Sequence, residues 1–151
     1  MTNTLVKVQR EDFNFADEVA QLEADNVCDG ATVTFVGRVR NHNDGQQVLG
    51  LHLEHYPGMT EKALQNIAVQ ARDKWSLGKV TIIHRYGDLA LGEQIVFVGV
   101  TSKHRQSAYQ ANQFIMDYLK VAAPFWKKEL TAQGERWLSA KQQDNDEAAK
   151  W

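Results

Sequence analysis

Apolar side chains recur at two spacings along this chain, and the switches between the spacings mark out its elements. From Ala31 to Val39 and from Val48 to Glu54 apolar and polar residues alternate. Val33, Phe35 and Val39 share one side of the first run, and Leu49, Leu51 and Leu53 share one side of the second. A period of two predicts half-buried strands. Asn43-Asp44-Gly45 between them is a turn signal, so the two runs are expected to form a hairpin. After Tyr56-Pro57-Gly58 the spacing becomes helical, with Leu64, Ile67, Ala68, Ala71 and Trp75 on one stripe from about Thr60 to Trp75. Phe13-Asn14 ahead of Phe15 to Ala24 reads as a short N-capped helix with Val19 and Leu22 facing inward.

Lys79 to Tyr86 and Gln94 to Thr101 are rich in Val, Ile and Phe and predict two further strands. The second is apolar on both faces, so it is expected at the centre of its sheet, or covered on both sides by helix or by a partner chain. Ala108, Ala111, Ile115, Leu119 and Ala122 form the stripe of a last helix from about Gln106 to Val121, which Pro124 stops. This order of elements predicts an α+β fold with a mainly antiparallel sheet. Without repeats, low-complexity tracts or a Pro/Gly/Ser-rich linker, residues 1–151 are expected to form a single domain, with 140–151 as a polar, loosely attached tail.

Composition narrows the class. With 151 residues, 43% hydrophobic and 24% charged, the chain is in the ordinary globular range. It carries a single cysteine, Cys28, and no Cys/His set at zinc spacing, which points to a reducing compartment, and no metal or cofactor is expected. Met1 to Arg10 lacks the apolar core of a signal peptide, and no run approaches a membrane span, so a cytoplasmic protein is expected. The net charge of −2 provides no basic field for nucleic acid. Basic residues nonetheless cluster at Arg38 to His42, His84-Arg85 and Lys103 to Arg105, with Lys120, Lys127 and Lys128 beyond. Gathered by the fold, they would make an anion site.

Thr101-Ser102-Lys103-His104-Arg105 joins the most buried predicted strand to a helix. Unpaired N–H groups and the helix dipole would favour a phosphate there, although a capped helix start with two solvated cations fits equally well. Arg38, Arg40 and His42, spaced by two, would share a strand face opposite Phe35 unless Gly37 introduces a bulge. They suit an anion site or a solvated rim. Lys120 follows Met116 by one helical turn, and Lys127 lies in the aromatic segment Pro124-Phe125-Trp126-Lys127-Lys128-Glu129. A lysine beside aromatics can serve as a general acid or base if desolvated, or merely complement a helix end. Cys28, in a polar turn, has no signature of a nucleophile.

Five segments in order, Phe35-Val36-Gly37-Arg38-Val39-Arg40-Asn41, Glu54-His55-Tyr56-Pro57-Gly58-Met59, His84-Arg85-Tyr86-Gly87, Ser102-Lys103-His104-Arg105, and Met116 to Lys120 with Pro124 to Glu129, resemble the large-subunit family of molybdopterin synthases. The likeness spans about residues 30 to 141. It implies an α/β hammerhead-type fold, a homodimer of large subunits within a heterotetramer, and a small ubiquitin-like subunit as partner. The C-terminal glycine thiocarboxylate of that subunit would supply the sulfur. The substrate would be cyclic pyranopterin monophosphate, sulfurated in two successive steps through a half-sulfurated intermediate to molybdopterin, in molybdenum cofactor biosynthesis. An external sulfur donor accounts for the lack of a reactive cysteine.

By position the resemblance assigns the family's two pocket lysines to Lys120 and Lys127 and its anion-binding residues to Arg40, His104 and Arg105, with Phe35 and Met116 at apolar pocket positions. It implies that Lys120 stabilises charge on the glycine carbonyl while Lys127 protonates a leaving oxygen or orients the substrate. Lys141 stands where an arginine is expected among relatives. Lysine keeps the charge there but lacks the bidentate fork for phosphate.

Overall fold

A computed structural model describes residues 3–139 and 142–151. Its elements are β1 (Thr4–Gln9), α1 (Phe15–Glu23), β2 (Ala31–Arg38), β3 (His42–Asn43), β4 (Gln46–His55), α2 (Met59–Lys74), β5 (Val80–Arg85), β6 (Gly87–Ala90), β7 (Gln94–Ser102), α3 (Arg105–Ala122), β8 (Phe125–Thr131), β9 (Gly134–Leu138) and α4 (Gln142–Ala149). The expected α+β class with mainly antiparallel pairing is what the chain adopts, the one parallel pair among the described residues being β1 with β5. The strands divide between two sheets. The first runs β1-β5-β7-β2; the second runs β3-β4-β8-β9, with β6 also paired to β4.

The first sheet is a sandwich filling. Val80, Ile82, Val96, Val98 and Val100 point to one face, where Leu64, Ile67, Ala68 and Ala71 of α2 and Ala111, Phe114 and Ile115 of α3 pack on them. Ile83 and Phe97, one residue out of phase, point to the other face and meet Leu22 of α1 and Phe13. Gly99 permits this close approach, since a Cβ there would stand 2.4 Å from the Leu22 Cδ1. Strand β7 is thus central, as its two apolar faces predict, and both faces are covered within the chain. A partner is not needed for that cover.

The expected hairpin of residues 31–39 with 48–54 does not form. Asp44 and Gly45, both at positive φ (51° and 76°), turn the chain so tightly that only His42 and Asn43 pair back on Gln46 and Gln47. β2 instead pairs with β7, and β4 with β6 and β8, so the two runs fall in different sheets. An irregularity between Val48 and Gly50 also turns Leu49 outward and puts Val48 in the interior. The buried set on β4 is therefore Val48, Leu51 and Leu53, the last two packed with Val39 and Leu89.

The polar C-terminal stretch docks. Trp151 lies edge-on to Trp75 and Phe114, with ring centroids 5.5 and 5.7 Å away, and its Nε1 donates to the Asp117 Oδ2 at 2.6 Å. Ala148 is buried as well. Two apolar contacts in ten residues leave no periodic signal, which is why composition alone suggested a loose tail.

Helix α3 is fixed in rotation by one buried amide. Asn112, 5% exposed, donates from Nδ2 to the Val98 carbonyl at 2.9 Å and to the Val33 carbonyl at 3.1 Å. Asn112→Ala removes both of these bonds from a buried layer and should cost about 2 kcal/mol, lowering Tm by roughly 4–8 °C. A thermal melt within a degree of the parent protein would show that apolar packing alone seats the helix.

Candidate functional site

Between the two sheets, where the C-terminal end of α3 passes the strand ends, lies a cavity of about 720 Å³. The segment Phe35 to Arg40 lines one side, Met116, Leu119 and Lys120 of α3 a second, Phe125, Lys127 and Glu129 of β8 a third, and Gln143 and Asp144 of α4 a fourth. The register of β2 on β7 shifts at Gly37/Arg38, so of the two readings of this strand the one with a bulge holds, and Phe35, Arg38 and Arg40 all reach the same cavity. Phe35 presents a half-open ring and Met116 a nearly buried thioether, so the wall is apolar with cations at its rim.

Alternation along β8 selects its contribution. Phe125, Lys127 and Glu129 face the cavity, and Trp126 and Lys128 face outward, where Lys128 bridges to Glu135 at 3.1 Å and lies over the Trp137 ring. Lys120 is exposed in the last turn of α3, and Lys127 is part-buried. Glu129, 4% exposed, is neutralised in place: its Oε1 accepts from Arg136 Nε at 2.9 Å and Nη2 at 2.7 Å, and its Oε2 accepts from Asn43 Nδ2 at 2.8 Å. This fork ties β9 and the β3 turn to β8. With Glu129 so engaged, Arg38, Arg40, Lys120 and Lys127 outnumber the one other lining carboxylate, Asp144, and give the cavity a net positive field suited to an anionic ligand.

His84 also lines the cavity and is only 3% exposed. Its ring stacks on Phe125 with centroids 3.7 Å apart, and Nδ1 lies 2.8 Å from the Arg85 carbonyl. Burial pushes its pKa down to about 3; the carbonyl contact opposes this, while Lys127, Lys120 and His55 add repulsion. The residue is a neutral imidazole among cations. His52, by contrast, sits on the outer face between Asp88 and Glu54.

Five of the residues singled out from the sequence come together here: Phe35, Arg40, Met116, Lys120 and Lys127. His104 and Arg105 do not. They are exposed at the start of α3, and Arg105 lies 15 residues from Lys120, about 22 Å along the axis. Lys141 lies outside the described residues. Cys28 is exposed beside a separate cavity of about 300 Å³ with Asp29, Lys79 and Lys103. Among the described residues no group of three His, Cys, Asp or Glu side chains is placed to hold a metal ion. Sequence reasoning gave no weight to Glu129 or Phe125, and little to His84. The alternation of 125, 127 and 129 on a strand would have exposed the first two, had β8 been expected.

Fold and site together define an α+β protein with a cavity lined by cations and apolar side chains and by no thiol. Comparison with known proteins narrows this. Residues 8–122 match the MoaE protein family, to which the chain belongs. It is 55% identical over 151 residues, all of both chains, to the molybdopterin synthase catalytic subunit of Escherichia coli (strain K12). It is 54% identical over 146 residues, 97% of each chain, to that of Vibrio cholerae. Among solved structures it is similar to the MoaE protein from Burkholderia ambifaria, with a TM-score of 0.84 and 46% identity over 98% of this chain and 97% of that one. The molybdopterin synthase from Staphylococcus aureus gives 0.79 and 31%, covering 92% and 98%.

The neutral His84 makes stability depend on pH in a defined direction. Unfolded, its imidazole takes a proton near 6.5; folded, it does so only near 3, so the unfolded state binds more protons between these values. This contribution is fully present above pH 6.5 and falls as pH drops toward 3, by up to about 1.4 kcal/mol per unit. His84→Gln, which cannot titrate, should lose stability less steeply in that window. Equal slopes in urea titrations of the two proteins would mean that His84 is charged in the fold.

Proposed function

We propose that this chain is the catalytic subunit of a molybdopterin synthase, transferring sulfur from a small ubiquitin-like carrier to cyclic pyranopterin monophosphate. The observation that carries the reading is the cavity itself, where Lys120 from a helix end and Lys127 from a strand reach one apolar-walled space with Arg38 and Arg40, far from the chain's single thiol. A thiol-free site that transfers sulfur requires the sulfur to arrive on another molecule. The carrier's C-terminal glycine thiocarboxylate, an anion on a narrow extended chain, suits this site in charge and shape. The full-length likeness to catalytic subunits supports the same reading.

The chemistry divides by position. The thiocarboxylate sulfur bonds to the pterin side-chain carbon as that carbon's oxygen leaves, and water then attacks the glycyl carbonyl and cleaves the acyl–sulfur bond to return a carboxylate on the carrier. The Lys120 ammonium at the exposed mouth stabilises the negative charge developing on that carbonyl. Lys127, deeper and part-buried, delivers a proton to the oxygen that leaves the pterin side chain. Arg40 engages substrate oxygens, and Phe35 and Met116 hold the apolar faces. His104 and Arg105 cannot join them from the same chain, because α3 is a straight rod between the two ends. In the homodimer proposed here they serve the second copy's site, with the α3 start of one chain presented to the cavity of the other. Lys141 is proposed as a further phosphate contact. The chain works as one domain in the cytoplasm; its described residues contain no helix long and apolar enough to cross a membrane.

Lys120→Ala should slow single-turnover conversion of the pterin precursor, with preformed thiocarboxylated carrier, by on the order of 10²-fold. Its Tm should stay within about 4 °C, because an exposed lysine at a helix end contributes at most about 1 kcal/mol. Near wild-type conversion would make Lys120 a surface cation and defeat the mechanism. Cys28→Ser should convert substrate at the parent rate, and a large loss in a folded Cys28→Ser protein would point to an internal sulfur relay instead.

A further inference from the structure

Two carboxylates line the cavity, and only one of them is matched in place. Glu129 is held by Arg136 and Asn43. Asp144, part-exposed on the first turn of α4, makes no hydrogen bond or ion pair to any described residue. An acid in the first turn of a helix complements the dipole, and solvation would satisfy it. Asp144, however, shares its cavity with Arg38, Arg40, Lys120 and Lys127, where a carboxylate weakens the field they offer an anion. Its presence there is accounted for when the ligand brings hydrogen-bond donors as well as negative charge. The carboxylate is also anchored. Trp151, two residues beyond the end of α4, donates from Nε1 to the Asp117 Oδ2 at 2.6 Å, and Gln113 Nε2 donates to Oδ1 at 2.7 Å. Asp117 precedes Lys120 by three residues, so α3 bears both that lysine and the anchor of the helix that carries Asp144.

We propose that Asp144 is a specificity-determining residue: its carboxylate accepts two parallel hydrogen bonds from the 2-amino group and the adjacent ring N–H of the pterin. This rests on the reading of the cavity as the site of a pterin phosphate and deepens it. A pterin is a 2-amino-4-oxo bicycle, and the pyrimidine edge of its neutral form presents two N–H donors side by side, a spacing that the two oxygens of a carboxylate match. The phosphate is carried at the other end of the molecule. Ligand and cavity then correspond in polarity: the donors meet the unengaged carboxylate, the phosphate meets the arginines and lysines, and Phe35 and Met116 take the faces of the ring. The volume of about 720 Å³ is in the range of cavities that enclose a ligand of this size. Cations alone would accept any phosphate ester of similar bulk, so the carboxylate is what makes the site choose a pterin.

The test uses the full chain with Asp144→Asn and Asp144→Ala and three probes: 6-hydroxymethylpterin, its 2,4-dioxo analogue, in which oxygen replaces the amino group, and inorganic phosphate. Binding is read by fluorescence for the two bicycles and by calorimetry for phosphate. The parent should prefer the pterin over the dioxo analogue by about 10- to 100-fold, because the analogue sets a lone pair against the carboxylate. Asparagine, which keeps one acceptor, should weaken pterin binding by about 10-fold and alanine by about 100-fold, with the dioxo analogue changed by no more than about threefold. Inorganic phosphate should bind both variants as tightly as the parent or more tightly, because a like charge has gone. In turnover with thiocarboxylated carrier, KM for the pterin phosphate should rise by the same factors while kcat stays within about threefold.

Variants that keep the parent's preference for the pterin would overturn the proposal. Equal weakening of pterin and phosphate would overturn it as well, since that is the mark of an acid that only seats α4. If thermal melts show that alanine loosens the fold, asparagine decides the matter. A parent that forms dithiolene with the carrier but shows no preference dependent on Asp144 leaves the sulfur-transfer reading standing and removes the proposal. A parent that forms none, yet shows that preference, keeps the pterin contact and removes the sulfur transfer.

Discussion

The position of every α3-borne group in the cavity depends on the Asn112 side chain, buried between α3 and the sheet. One amide nitrogen reaching the carbonyls of Val33 and Val98 sets both the rotation and the axial position of the helix against β2 and β7. Residues four and eight further on, Met116 and Lys120, then fall on the same side by helical geometry and arrive at the cavity together. Apolar packing of Ala111, Phe114 and Ile115 supplies most of the attraction, but apolar contacts tolerate sliding. A directional bond into an otherwise dry layer does not, because displacement would leave the buried Asn112 amide without its acceptors where water cannot reach it.

What could be read from the sequence follows from where its information was periodic. The central strand at 94–101 and the helices around 60–75 and 106–121 carried strong repeating patterns, and the structure has β7, α2 and α3 there within two residues. The division into two sheets was not legible, because alternation says that a run is a strand and not which strand it pairs with. The Asn43-Asp44-Gly45 turn was read correctly as a turn, but its reach was overestimated: after two residue pairs β2 is already committed to β7. β1, β8 and β9 were missed because Lys, Gln, Glu and Arg interrupt their apolar residues. β8 in particular reads as a charged aromatic stretch, since its inward residues include Lys127 and Glu129. The cavity cations were visible as clusters, whereas the bulge at Gly37 that gathers Phe35 with Arg40 was only one of two readings of that strand, since a regular strand would have put Arg40 opposite Phe35. The separation of His104 and Arg105 from Lys120 follows directly from an 18-residue helix, a distance argument that a linear series of motifs conceals.

The electrostatic design of the cavity is asymmetric. Several cations are collected around a space with two buried polar side chains, and both of those are kept from adding net charge. Glu129 is matched to Arg136 through two nitrogens, and His84 is held neutral by burial and by the lysines nearby. A free carboxylate at Glu129 would cancel one lysine, and a charged His84 would add a third cation where two already repel. The result is a field strong enough to draw an anion yet held on a scaffold whose own ionisable groups are satisfied before any ligand arrives, which is the condition under which fixed dipoles and charges act on a transition state without reorganising.

On the proposed reading, one helix serves two reaction centres. Its C-terminal turn delivers Lys120 to the cavity of its own chain, and its N-terminal turn carries His104 and Arg105 about 22 Å away, where the dipole and unpaired N–H groups favour an anion. Packing explains why this arrangement is robust. The middle of α3 is the most deeply buried helical segment described, with Ala108, Ala111, Phe114 and Ile115 all at 1% exposure or less, so the rod cannot bend between its ends without opening the core. The two ends are therefore held at a fixed separation, so on the proposed reading the lysine in one cavity and the helix start offered to the other keep their places independently of which site is filled.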